Sequence, residues 1–223
     1  MNDLAKYLDH TLLKAEATPE QIVALCTEAK RYGFASVCVN SCHVPLAAAE
    51  LEGSSVAVCT VVGFPLGAMQ TASKAFEAKT AIVEGADEVD MVLNIGWLKA
   101  GEAARVKEDI VEVKKACEGR LLKMILETAL LDREEIVLAC RLAMEAGADF
   151  VKTSTGFSTG GATVEDVRLM KQTVGEHMQV KASGGIRDTE TARAMIEAGA
   201  SRLGVSAGVA IVEGSKSRTQ GDY

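Results

Sequence analysis

"AGADFVKTS", Ala146 to Ser154, is the stretch that decides the fold. A glycine ends a helical pattern, as a left-handed cap requires, and a β-type run starts at once. The same arrangement recurs in "YGFASVCVN" (Tyr32 to Asn40), "EGADEVDMV" (Glu84 to Val92) and "AGASRLGVS" (Ala198 to Ser206). The glycines Gly33, Gly85, Gly147 and Gly199 are 52, 62 and 52 residues apart, about twice the length of a βα unit. Between them lie the strand-like runs "KYLDHT", "VAVCTVV", "LLKMILE" and "MQVKAS". Eight strands are therefore expected, starting near residues 6, 35, 56, 87, 121, 149, 178 and 201. Helical patterns separate them, for example "TPEQIVALCTEAKRYG", with a Thr cap and Pro at the first helical position. Regular strand–helix alternation implies a parallel sheet. Eight units in 223 residues fit a compact α/β (β/α)8 barrel, with a doubly wound open sheet as runner-up.

The repeat also says which way side chains point, because strand residues alternate between faces. Four and six positions after each glycine stand Val37/Val39, Val89/Met91, Val151/Thr153 and Leu203/Val205, a nearly aliphatic set that should face the helices. Three, five and seven positions after each glycine stand Ser36/Cys38/Asn40, Glu88/Asp90/Val92, Phe150/Lys152/Ser154 and Arg202/Gly204/Ser206, a mixed, more polar set that should face the barrel interior. Five positions after each glycine stand Cys38, Asp90, Lys152 and Gly204. In a barrel, alternate strands supply one layer of four, so Asp90 and Lys152 should meet inside. Lysine is almost never buried without a partner or a use, and a purely structural ion pair is the plainer alternative.

Composition suits one domain spanning 1–223: 48% hydrophobic residues give ample core, and three prolines leave no Pro/Ser-rich linker. The net charge of −7, without a Lys/Arg cluster, argues against nucleic acid as a partner. Cys26, Cys38, Cys42, Cys59, Cys117 and Cys140 contain no C-x-x-C pair and read as reduced thiols. "MNDLAKYLDH" carries charge where a signal peptide needs an apolar run, and "VAVCTVVGFPLGAM" is too short to span a bilayer. A cytoplasmic location without a membrane partner is the expectation.

A second lysine, Lys181, should lie at the C-terminal part of strand seven, beside strand six. Barrel enzymes place their chemistry at that end. Two nearby ammonium groups and partial desolvation both lower a lysine pKa, and a neutral lysine attacks carbonyls to form a Schiff base. Asp90 could relay protons beside the imine. Which lysine attacks stays open on this argument. "SGGI" (Ser183 to Ile186) and "GVSAG" (Gly204 to Gly208) follow strands seven and eight, where phosphate-binding barrels hold the phosphate. "STGFSTGGAT" adds small residues after strand six. Metal chemistry looks poor: His10, His43 and His177 show no ligand spacing, and His10 reads as a hydrogen-bonded core residue. There is no G-x-S-x-G elbow either.

With these residues in view, the chain resembles the deoxyribose-phosphate aldolase family along nearly its whole length. "LDHTLLK", "EVDMVLN", "DFVKTSTGF" and "VKASGGIR" carry the resemblance. It implies a class I aldolase, without metal or cofactor, that reversibly cleaves 2-deoxy-D-ribose 5-phosphate to D-glyceraldehyde 3-phosphate and acetaldehyde. It implies that Lys152 is the Schiff-base lysine, and that Asp90 and Lys181 are proton donor/acceptors, with Lys181 also depressing the pKa of Lys152. Gly184, Gly185, Gly204 and Ser206 match the family's phosphate-contacting loops. Phe157 and Ala207 depart from it, standing where some relatives carry a lysine and a second serine. Sugar phosphates and aldehydes are the implied partners, and a homodimer or higher homo-oligomer the implied state.

The polar tail from 214 to 223 should be mobile. Some relatives also end in tyrosine, so Tyr223 is a candidate to fold over the barrel mouth and assist proton transfer. Cys38, in the layer of Asp90 and Lys152, is a candidate for alkylation by aldehyde product, the inert core thiol being the alternative. The rival functions are a phosphate-binding barrel isomerase and a non-catalytic sugar-phosphate sensor.

Overall fold

The structure, a computed structural model, describes residues 3–214. Residues 215–223 of the tail, Tyr223 among them, lie outside the described residues. In chain order the elements are β1 (Leu8–Leu12), α1 (Pro19–Tyr32), β2 (Ser36–Val39), α2 (Val44–Leu51), β3 (Ala57–Val62), α3 (Thr71–Val83), β4 (Glu88–Val92), α4 (Ile95–Lys99), α5 (Ala103–Ala116), β5 (Leu121–Ile125), α6 (Arg133–Glu145), β6 (Phe150–Lys152), α7 (Val164–Val174), β7 (Gln179–Ser183), α8 (Thr189–Glu197), β8 (Arg202–Val205) and α9 (Gly208–Glu213). Each strand pairs in parallel with its neighbours in sequence, and β8 pairs with β1 to close the ring. This is a (β/α)8 barrel, and the open sheet is set aside.

The repeating glycines do what the sequence asks of them. Gly33 caps α1 at φ +68°, donating its N–H to Ala29 O at 2.9 Å, and β2 starts three residues later. A side chain would be strained there, so glycine sets the point where helix gives way to strand. Strand β1, expected near residue 6, begins at Leu8 because Asp3–Tyr7 forms a 3-10 turn.

The two faces separate as alternation demands. Val37, Val39, Val89, Met91, Val151 and Leu203 are wholly buried between barrel and helices. Each such side chain stabilises the fold by about 1.5–3 kcal/mol relative to exposure. Thr153 shares that face and satisfies its hydroxyl by donating to Ser183 O at 3.1 Å. No described helix is long and apolar enough to cross a membrane.

Candidate active site

Register assigns the interior side chains to layers. Asp90 stands beside Val61 on β3 and Lys123 on β5, and Lys152 stands beside Ile125 on β5 and Lys181 on β7. The lowest layer, toward the strand N-termini, holds Ser36, Glu88, Phe150 and Arg202 from the even strands. Above it lie Asp9, Cys59, Lys123 and Lys181 from the odd strands, then Cys38, Asp90, Lys152 and Gly204. Thr11, Val61, Ile125 and Ser183 finish the stack at the mouth.

Asp90, fully buried, is the hub. Its Oδ2 accepts from Lys152 Nζ and from Lys181 Nζ, each at 2.8 Å, and its Oδ1 accepts from Lys123 Nζ at 2.8 Å. Lys181 Nζ also lies 2.5 Å from Asp9 Oδ2, and Lys123 Nζ 2.6 Å from Glu88 Oε2. Arg202 completes the floor, donating to Asp9 Oδ1 at 2.6 Å and to Glu88 Oε1 at 3.0 Å. Lys152 is 3% exposed, whereas Lys123 and Lys181 are at 0%. The upper-layer lysine is thus the one that opens toward the mouth.

Burial alone would raise the pKa of Asp90, but Lys123, Lys152 and Lys181 overcome it and hold the carboxyl well below its usual range. Asp9 is likewise lowered: burial opposes the shift, and Lys181, Arg202 and Lys123 reverse it. For Lys181 the expectation of a depressed pKa is wrong. Burial does push it down, but Asp9 and Asp90 push harder and hold it well above the ordinary lysine value. The expectation failed because it counted the neighbouring lysine and missed Asp9.

The proposed phosphate loops lie at the same end. Gly184 and Gly185 follow β7 with φ +86° and +78°, the first buried and the second exposed. Gly184 O accepts from Ala162 N at 3.0 Å, and a Cβ on Gly161 would stand 2.4 Å from that oxygen. Glycine is needed for this approach of the loop after β6 to the loop after β7. Ser206 is half-buried just past β8, and Ala207 is buried at the start of α9.

Comparison with known proteins shows the family of this barrel. The model of the DeoC/LacD family aldolases matches residues 4–214. The chain belongs to that family. Deoxyribose-phosphate aldolase of Clostridium novyi is 61% identical over 98% of this chain and 99% of its own length. The Brevibacillus brevis enzyme of the same name is also 61% identical, over 98% and 99%. Among solved structures, the tetrameric deoxyribose phosphate aldolase of Aeropyrum pernix superposes with a TM-score of 0.89 at 34% identity, covering 95% of this chain and 90% of that one.

For this member of the aldolase family, sequence reasoning put Glu88 and Arg202 on the interior face without giving them a role, and missed Lys123 and Asp9 in the barrel. It also missed Glu127 and Thr155 at its rim. Lys123 sits inside the apolar run "LLKMILE", as Lys152 sits inside "DFVKTS", and that likeness was the available signal. Glu127 is buried at a left-handed φ of +58° just beyond β5. It accepts the Thr155 hydroxyl and, at 3.2 Å, the Thr155 N–H. Burial raises its pKa, with Thr155 and Lys152 opposing. Such backbone strain in a non-glycine residue clusters at functional sites.

Donor atoms of Cys38, Cys59 and Asp90 converge, as do those of Asp9, Cys59 and Glu88. The cation these donors face is an ammonium: Lys123 Nζ lies 3.3 Å from Cys59 Sγ besides its contacts with Asp90 and Glu88. His10 points instead to the helices, where its Nε2 bonds Glu28 at 2.7 Å and its ring tilts on Phe34. His43 lies in a 3-10 turn after β2, and His177 is exposed.

Proposed function

We propose that this barrel cleaves 2-deoxy-D-ribose 5-phosphate reversibly to D-glyceraldehyde 3-phosphate and acetaldehyde, through an imine on Lys152. The observation that carries the reading is the position of Lys152. It is the uppermost of three lysines that share the Asp90 carboxylate, and the one facing the mouth. Lys123 and Lys181 each hold a second carboxylate, so Lys152 breaks the fewest ion pairs when it gives up its proton.

Neutral Lys152 adds to C1 of the open-chain sugar, and the carbinolamine loses water to give the protonated imine. As the C2–C3 bond breaks, its electron pair flows to the iminium nitrogen. The C3 hydroxyl proton passes to Asp90, directly or through water. Neutralising that nitrogen removes one of the three cations beside Asp90, so its proton affinity rises in step with the electron flow. Lys123 and Lys181 stay charged and fix the carboxylate. Glyceraldehyde 3-phosphate leaves, the enamine carbon takes back a proton through Asp90 and Lys181, and hydrolysis frees acetaldehyde. Gly184, Gly185 and Ser206 in the loops after β7 and β8, with Gly204 near the end of β8, would hold the phosphate with backbone amides and one hydroxyl, converting distant binding energy into orientation.

We also take the chain to act as a homo-oligomer, as the Aeropyrum pernix relative does. Leu66, Met69, Phe76 and Val83, all exposed on and before α3, offer it an apolar surface. The neighbouring thiols Cys38 and Cys59 suit a reducing compartment such as the cytoplasm.

Borohydride reduction with acetaldehyde, followed by peptide mass spectrometry, tests the imine. A reduced two-carbon adduct on Lys152 is expected. An adduct on Lys181 instead would exchange the two roles. Folded protein with no adduct on either lysine would overturn the imine reading in favour of an isomerase.

A further inference from the structure

Lys152, Asp90 and Lys181 are at most 3% exposed, so a sugar phosphate reaches the amine only by passing the loops at the C-terminal ends of the strands. Two aromatic rings meet over the mouth. Phe64, two residues past β3, and Phe157, five past β6, pack edge to face with centroids 5.3 Å apart and planes at 85°. Strands β3 and β6 are three places apart in a ring of eight. The contact therefore joins the loops after the two strands that flank β4 and β5, the strands that carry Asp90 and Lys123. Below Phe64 lie Leu13, Cys38, Cys59 and Val61, an apolar cluster whose two thiols occupy the layers of the lysines.

Both supports of this bridge are fixed, while the rings are not enclosed. Gly63 N donates to Glu77 at 2.9 Å, and a Cβ on Gly67 would fall 2.0 Å from Leu93 O, so the Phe64 loop is seated on the end of β4. On the other side, Phe157 N donates to Thr155 Oγ1 at 3.0 Å, and that hydroxyl is itself held by Glu127. Yet the Phe157 side chain is left 46% exposed, and Phe64 is half-buried. Anchored loops thus carry a partly exposed aromatic contact at the mouth.

We propose that the Phe64–Phe157 contact is the gate of the site: the rings part to admit the sugar phosphate, then close as an apolar wall over its reacting carbons. The role of the wall rests on the Lys152 imine, whose protonated form must be kept from bulk water until the carbon–carbon bond has broken. Opening and closing of the mouth does not depend on that chemistry, and can be measured apart from it.

The measurement is the rate at which a small alkylating reagent labels Cys38, read by peptide mass spectrometry. Cys140 on α6, buried outside the barrel, is the internal control. Phe157→Ala should raise Cys38 labelling roughly two- to tenfold, the range that loss of one aromatic pair produces, without changing Cys140. Phe157→Leu, which restores an apolar side chain, should return most of the protection. Phe64→Ala combined with Phe157→Ala should label no faster than the faster single variant, because both open one gate. Phe157→Ala should also raise KM for the sugar phosphate more than it lowers kcat. Unchanged Cys38 labelling in Phe157→Ala, or Cys140 labelling that rises in parallel, would overturn the gate. Absence of a borohydride adduct in the parent protein would instead overturn the imine and leave the labelling result standing.

Discussion

Two buried lysine networks lie on either side of the barrel wall, and their difference separates scaffold from site. Outside, between α3 and α5, Lys74 Nζ lies 2.7 Å from Asp109 Oδ2 and donates to Val92 O at 3.0 Å. Thr71 donates to the other Asp109 oxygen at 2.8 Å. One cation meets one anion there. Inside the barrel, Asp9, Glu88 and Asp90 face Lys123, Lys152, Lys181 and Arg202, three acids against four bases. That surplus positive charge disappears when one lysine sheds its proton. The outer pair is balanced, whereas the inner cluster carries one more base than acids.

The largest test of this comparison replaces Lys152 with Met. Activity should fall by more than about 10³-fold, as it does when a covalent nucleophile is lost. Thermal stability should hold or rise, because the three acids then face three bases. A large loss of stability would show that Lys152 is structural and dissolve the contrast.

Lys74→Met should do the opposite. It leaves Asp109 buried without its cation, at a cost of about 3–5 kcal/mol in denaturant unfolding. Turnover per folded molecule should stay within roughly a factor of three, well inside the spread expected when no transition-state contact is lost. Replacing both partners, Lys74→Met with Asp109→Leu, should recover most of the stability, since a buried pair is often no better than apolar packing. Lost turnover in folded Lys74→Met would break the division between the two networks.

Lys123→Met sharpens the comparison within the cluster. Asp90 would keep Lys152 and Lys181, and Glu88 would keep Arg202, so sharing softens the loss. A cost of about 1–3 kcal/mol is expected, less than for Lys74→Met. Turnover should fall by roughly 10–100-fold as Asp90 loses one of its fixed donors. A stability loss equal to that of Lys74→Met would mean the cluster is not shared at all.

How much of this was legible follows from where the repeat lies. Gly33, Gly85, Gly147 and Gly199 precede the even strands, so counting from them yields the layer of Cys38, Asp90, Lys152 and Gly204. The odd strands carry no such marker. Their height against the even ones is set by barrel stagger, which a single sequence does not display. Lys123 and Asp9 were consequently visible as letters but not as neighbours of Asp90. The error over Lys181 has the same origin, since its second carboxylate comes from β1, at the far end of the chain. Glu127 was hidden for another reason: its left-handed backbone lies in a rim loop with no glycine to announce it. The Phe64–Phe157 contact depends on two loops meeting across the ring, which no local pattern encodes.

The smallest expected effect is a difference in pH dependence. Burial lowers the pKa of Lys74, with Asp109 opposing, whereas Asp9 and Asp90 raise that of Lys181 against burial. Between its lowered value and 10.5, the folded protein carries less proton on Lys74 than the unfolded chain does, so raising pH through that window adds stability. Lys181 has the reverse sign: its contribution is complete below 10.5 and is lost only as pH climbs through its raised folded value. The stability of the parent protein minus that of Lys74→Met/Asp109→Leu should therefore grow as pH approaches 10.5 from below, because Lys181 is common to both and cancels. Urea unfolding at a series of alkaline pH values measures that difference. If it stayed flat or shrank, Asp109 would outweigh burial at Lys74, and the outer pair would share the electrostatic character of Lys181.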